Sequence, residues 1–206
     1  LRDLTPETLP AQREIPLVEP PELSDGVARV VHVVSDDPLV VVRVHTPVGF
    51  EGPLPSLYSI HGGGYVMGSY DSDDYKFDVW CRRYGIVGVS VEYRLAPETP
   101  YPGPLDDCYA GLAWTFEHAA ELGVDPSKIG IAGVSAGGGL CAALALVARD
   151  RGEIPIQFQL LDCPLLDPTQ STPSSQLDDL IVWSKGSNEF GWRSYLGDLY
   201  GSDDLP

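Results

Sequence analysis

The sequence is short of positive charge. Thirteen Lys and Arg stand against thirty Asp and Glu, leaving a formal net charge of −17. Such a chain repels a phosphate backbone and an anionic lipid surface, which argues against nucleic acid or membrane headgroups as partners and leaves a neutral small molecule as the easier ligand. Cysteine is sparse as well: Cys81, Cys108, Cys141 and Cys163 lie far apart and form no C-x-x-C pair. That disfavours a disulfide framework, and with no His/Cys/Asp cluster at zinc-ligand spacing we expect neither metal nor cofactor. The first three cysteines fall inside apolar helix patterns, as buried free thiols of a reduced, cytoplasmic compartment do. Long apolar runs are absent: the strongest, Leu140 to Ala148, is about half of the roughly 20 residues that a membrane-spanning helix requires, and no charged-then-apolar leader precedes the first strand. A soluble protein is therefore expected. An initiator Met is missing too, as in a processed, trimmed or cloned stretch whose leader could have been lost.

What is present is enough for a core. Of 206 residues, 43% are hydrophobic and 21% charged, the balance of a single globular domain. Residues 1–25, rich in Pro, Glu and Thr, read as a loose arm. Val27 to Val34 and Leu39 to Thr46 read as a β-hairpin around the turn residues Ser35 to Pro38. From Leu54 the pattern becomes strand (Leu57 to Ile60), glycine turn, mixed segment (Ser72 to Tyr84) and strand (Ile86 to Glu92), the alternation of a parallel sheet with crossover helices. Leu105, Cys108, Tyr109, Leu112, Phe116 and Ala119 recur at helical spacing. A turn at Asp125 to Ser127 leads into a buried strand, Ile129 to Val134, and a helix from Ala136 to about Asp150 that is apolar nearly all round and so expected to be central. Ile156 to Leu161 is one more strand. Residues 171–200, with Trp183, Trp192 and Tyr195, carry no strand pattern and read as part of a cap or lid.

Two glycine motifs carry chemistry. Gly133-Val134-Ser135-Ala136-Gly137 fits G-x-S-x-G, a turn so tight that its flanks tolerate no side chain and the serine hydroxyl stands at the tip between strand and helix. Here a β-type run ends just before it and a helical run begins just after. His61-Gly62-Gly63-Gly64 follows another short strand and matches a pattern whose backbone N–H groups approach a substrate oxygen with no Cβ in the way. Gly63, Gly64 and Ala136 are the expected oxyanion donors, Ser135 the expected nucleophile. His61 suits an orienting hydrogen bond better than a proton carrier's role.

These motifs, with Glu92-Tyr93-Arg94-Leu95-Ala96-Pro97-Glu98, then Pro102 and Asp106, and Gly133 to Gly138, resemble the hormone-sensitive-lipase group of carboxylesterases over about residues 25 to 200. The resemblance implies an α/β-hydrolase fold: a mostly parallel sheet with crossover helices and a partial cap. It also implies a serine hydrolase of short-chain carboxylic esters, with residues 26–168 as the core and residues 1–25 and 169–206 in the cap. Arg94, Glu98 and Asp106 are expected to form structural ion pairs that fix the loop after Glu92. Val134 departs from the family, many members of which carry Asp there.

In this fold the triad runs Ser, then Asp or Glu, then His. All four histidines, at 32, 45, 61 and 118, precede Ser135. The family's acid and histidine belong to strands beyond the sixth, so the last strands and helices are expected to be missing and the chain to be nearly inactive alone. Asp162, Asp167 and the acids from 178 onward are not plausible substitutes. Two alternatives follow: a catalytically silent hydrolase-fold protein that binds a small ligand in the same cleft, and a homo-oligomer paired through a bare sheet edge.

Overall fold

A computed structural model describes residues 4–15, 22–177 and 182–205. Its six strands are β1 (Val27–Asp36), β2 (Leu39–Pro47), β3 (Leu54–Ile60), β4 (Val87–Glu92), β5 (Val124–Val134) and β6 (Gln159–Asp162); its helices are α1 (Leu9–Arg13), α2 (Asp74–Tyr84), α3 (Gly103–Glu117), α4 (Ala136–Arg151) and α5 (Lys185–Leu196). The strands form one sheet in the order β1-β2-β4-β3-β5-β6. β1 and β2 form the expected hairpin, β2 pairs antiparallel with β4, and β4, β3, β5 and β6 run parallel. Among the described residues no helix is long and apolar enough to cross a membrane.

The alternation of strand side chains builds a core on each face. Val42, Val44, Tyr58, Ile60, Val87, Val89, Val91 and Ile131 pack with Leu105, Cys108 and Leu112 of α3 and Leu140, Cys141 and Leu144 of α4. On the other face Leu57 and Ala132 meet Phe77 and Cys81 of α2, a much smaller cluster. That second face is unusually polar. His45, Ser59, Ser90, Asp73, Asp74 and Asp78 are all buried there. Lys76 Nζ bonds Asp73 at 2.6 Å and donates to Ser59 Oγ at 2.8 Å, while Asp78 receives Arg29 at 2.5 Å and Arg82 at 2.7 Å.

Three expectations need correction. The N-terminal arm is not loose where it is described: Leu4 and Leu9 are buried, and Arg13 at the end of α1 donates to the carbonyls of Val66 (2.7 Å) and Ala96 (2.9 Å) and pairs with Glu98. The remainder of that arm, residues 1–3 and 16–21, lies outside the described residues. α4 is not covered all round: Leu140, Cys141, Leu144 and Ala148 are buried, but Leu146 is 53% exposed. The last strand starts at Gln159 rather than Ile156: ahead of it the backbone reaches β5 through Gln157 N–H to Ile129 O and Ile131 N–H to Phe158 O, and Ile156 itself makes no such bond among the described residues.

The topology singles out one place. α2, which follows β3, and α4, which follows β5, pack on opposite faces of the sheet although β3 and β5 are neighbours. Loops leaving the carboxyl ends of two such strands diverge and leave a crevice between them, the usual ligand site of an open α/β sheet. Ile60, the last residue of β3, is in register with Gly133 of β5. The segments that begin at His61 and end at Ser135 therefore meet there.

Candidate active site

Ser135 stands between β5 and α4 with φ +55° and ψ −120°, a conformation that costs an ordinary residue about 1–3 kcal/mol. Tertiary contacts hold it. Its N–H donates to Asp162 O at 2.8 Å, and its C=O accepts from Leu165 N–H at 3.1 Å and from Gly139 N–H at 3.1 Å. The flanking glycines are required by contact: a Cβ on Gly133 would lie 2.1 Å from Gly137 O, and one on Gly137 would lie 2.1 Å from Ile60 O. The turn thus presses α4 against the end of β3 and leaves the serine side chain at the tip, partly exposed.

The glycine loop after β3 lies alongside. A Cβ on Gly62 would be 3.4 Å from Ser135 Cβ and 3.0 Å from Val134 O. Gly63 and Gly64 both have left-handed backbones, φ +116° and +61°. Among the described residues neither of their N–H groups donates a hydrogen bond, and the Ala136 N–H, at the first position of α4, donates none either. The loop thus lies against the serine through Gly62 and carries two uncommitted N–H donors next to a helix N-terminus, groups of a kind able to stabilise charge developing on an oxygen.

His61 lies beneath this loop. It is buried, stacked on Tyr93 with ring centroids 4.2 Å apart, and its Nδ1 donates to Gly62 O at 2.8 Å. Tyr93 Oη in turn donates to His61 O at 3.0 Å. Burial pushes the imidazole pKa down, against the opposing influence of the Gly62 carbonyl, so the ring is neutral and committed to the loop. The other histidines are elsewhere: His32 against Trp114, His45 under α2, and His118 bonded to Trp114 O. Among the described residues no imidazole or carboxylate bonds Ser135 Oγ. Asp162 meets the serine through its backbone only, and Asp167 is engaged by Thr169 and Ser171 of its own turn. No group of three His, Cys, Asp or Glu among the described residues is placed to hold a metal.

The expected ion pairs are present with different partners. Arg94 grips Asp107, with both Nε and Nη2 at 2.8 Å, and Asp107 Oδ2 also takes the Arg94 N–H at 2.9 Å. Asp106, the acid expected from the sequence, makes no ion pair among the described residues. Helix phase explains the difference, since Asp107 shares the buried face of α3 with Pro104, Gly111 and Thr115. Glu98 pairs with Arg13 of the arm rather than with its own loop. Residues that sequence reasoning assigned no site role also matter here. Tyr65, directly after the glycines, is buried and stacks on Tyr195 of α5 at 4.2 Å, and the Trp183 indole lies against Gly64. Beside Tyr65 a cleft of about 460 Å³, lined by Leu140, Ala143, Leu165, Trp192 and Tyr195, runs between α4 and α5.

A family model described as alpha/beta hydrolase fold matches residues 57–205. The carboxylesterase NlhH of Mycobacterium tuberculosis is 43% identical over 160 residues, which cover 77% of this chain and 50% of NlhH. Esterase LipI of the same organism is 40% identical over 181 residues, 83% of this chain and 55% of LipI. Among solved structures, a bacterial heroin esterase superposes with a TM-score of 0.85 at 42% identity, covering 90% of this chain and 61% of that one. The chain thus spans about half the length of the curated relatives it matches.

Proposed function

Since the chain belongs to the hormone-sensitive-lipase type of the alpha/beta hydrolase fold family, we propose that it carries the nucleophile and oxyanion half of a serine carboxylesterase. The observation that carries this reading is the junction of β3 and β5, where the strained Ser135 meets a glycine loop whose N–H groups are uncommitted. Ser135 Oγ attacks the carbonyl carbon of a neutral short-chain ester. Gly63, Gly64 and Ala136 N–H groups hold the resulting oxyanion. The alcohol leaves, and water then releases the acid from the acyl-serine. Residues 1–25 and 169–206 belong to the cap, which shapes the pocket.

The proton on Ser135 needs a base. No histidine follows Ser135 in the sequence, and His61 is neutral, buried and bonded to Gly62. A histidine and its acid from outside these 206 residues would complete the reaction. Without them turnover falls on the order of a million-fold, leaving roughly 10³- to 10⁴-fold over water from the oxyanion hole and binding.

The test is hydrolysis of a short-chain p-nitrophenyl ester by the complete natural protein, its Ser135→Ala variant and the 206-residue chain. Esterase-level turnover by the complete protein, lost in Ser135→Ala, is expected, with only residual activity in the chain alone. Equal rates for the complete protein and Ser135→Ala, both folded, would replace the esterase by a hydrolase-fold protein that only binds a ligand. Full turnover by the 206-residue chain would require a base among the residues present.

A further inference from the structure

The three glycines after His61 need bracing, because glycine has the most backbone freedom to lose and an oxyanion hole acts only if its donors are already aimed. Each is braced differently. Gly62 is wedged against Val134 and Ser135, and its carbonyl takes the His61 ring. Gly63 is closed into a turn, its carbonyl accepting from Val66 (3.1 Å) and Met67 (3.0 Å) N–H. Gly64 is held from a part of the chain far away in sequence. The space a Cβ would fill on Gly64 is occupied by the Trp183 ring, 2.1 Å from Cη2 and 2.7 Å from Cζ2. The other side of the clamp is α5, where the missing side chain of Gly191 lets the helix close on Gly64 O, only 2.8 Å from the place its own Cβ would take.

Resting on the oxyanion role proposed above, we propose that Trp183 is a positioning residue: its indole, clamped between Gly64 and Gly191, fixes the direction of the Gly64 N–H and so couples the oxyanion hole to the docking of α5. The ring is itself fixed. Trp183 directly precedes Ser184, the N-cap of α5, and its Nε1 donates to Asn188 Oδ1 at 2.9 Å, one turn into the helix. That bond plays the part of a hydrophobic staple, setting the angle at which the chain enters α5. A flat ring in the place of the Gly64 Cβ removes conformers from the Gly64 backbone. Trp183 therefore acts on the donor through Gly64.

The test uses the complete natural protein, with amide hydrogen exchange across residues 62–65 and ester kinetics measured on the same samples. Trp183→Ala is expected to speed exchange at Gly64 and to lower kcat about ten- to fifty-fold with KM changed less than threefold, because a loosened donor weakens the transition state more than the ground state. Trp183→Phe is expected to recover most of both. Asn188→Leu, which frees the indole N–H while keeping the packing, is expected to give a smaller change in the same direction, and it supplies the answer if Trp183→Ala does not fold. Unchanged Gly64 exchange in the folded variants overturns the brace whether or not the protein is an esterase. Faster exchange with unchanged kcat, or an effect on KM alone, overturns the coupling to catalysis. Absence of Ser135-dependent turnover in the unmodified protein sinks the esterase reading and the catalytic part of this one together, while the exchange data still decide the brace.

Discussion

At Gly63 the backbone sits at φ +116° and a Cβ would lie 2.0 Å from Met67 O. Gly63→Ala is therefore expected to move the donor and cut kcat by about 10²-fold or more, with ester turnover as the measurement. Asp107 illustrates a structural role beside the site. Asp107→Ala removes three hydrogen bonds and leaves the guanidinium of Arg94 partly stranded. A broken buried pair costs about 3–5 kcal/mol, but Arg94 is 38% exposed and water re-solvates part of it, so about 2 kcal/mol is expected. A thermal melt should show Asp107→Ala lowered by about 4–8 °C and Asp106→Ala nearly unchanged. Residues of this scale differ in how far sequence exposes them. Ser135 and Gly62 to Gly64 were legible because tight turns restrict which residues fit. Trp183 was not, since its partner Gly64 is remote in sequence and nothing local to the polar tail signals the contact.

Elements follow the same divide. β3, β5 and α4 were readable because strands buried on both faces, and the helix after them, give continuous apolar runs bounded by glycine turns, whereas α5 was read only as cap-like material because its polar face dominates a segment whose buried side is Trp192, Tyr195 and Leu196. The packing of α2 on the sheet was hidden, being polar where a core is expected. There His45, wholly buried, has its pKa pushed down to about 3, first by burial and then by Arg43 of β2 and Arg29 of β1; Asp73 opposes, and Lys76 reinforces. Asp74 also faces it, at 3.8 Å. The unfolded chain takes up this proton near pH 6.5 and the folded one only near pH 3, so stability is highest above about pH 6.5 and is lost progressively as pH falls towards 3. Asp78 adds a second loss at lower pH. Burial alone would raise its pKa, but hydrogen bonds from Ser24, Arg82 and Arg29 hold it at about 2, giving stability present above about pH 4 and lost as pH falls through 2. Urea midpoints measured from pH 7 to 4 should fall, and His45→Gln should flatten that slope.

The whole molecule has two unequal sides. β6 is a four-residue strand with no partner on its outer edge among the described residues, and Phe158, Leu160, Leu146 and Leu166 near it are 47–60% exposed. An unprotected edge beside apolar surface favours association. The 206-residue chain alone is expected to scatter light as a concentration-dependent oligomer, and Phe158→Lys with Leu160→Lys should return it to a monomer; a monomeric parent chain would contradict this. The same strand end anchors Ser135, through Asp162 O and Leu165 N–H. The strained elbow is thus tied to one of the least protected segments of the sheet, which opens at a lower free energy than the centre. Warming should let that segment peel away and the serine relax to an ordinary conformation while the β2, β4 and β3 strands remain paired. Loss of the elbow geometry in the 206-residue chain would then be a local melting event, reversible on cooling and several degrees below the collapse of the far-ultraviolet signal, so that the shape of the site is set by its weakest seam and not by the depth of its core.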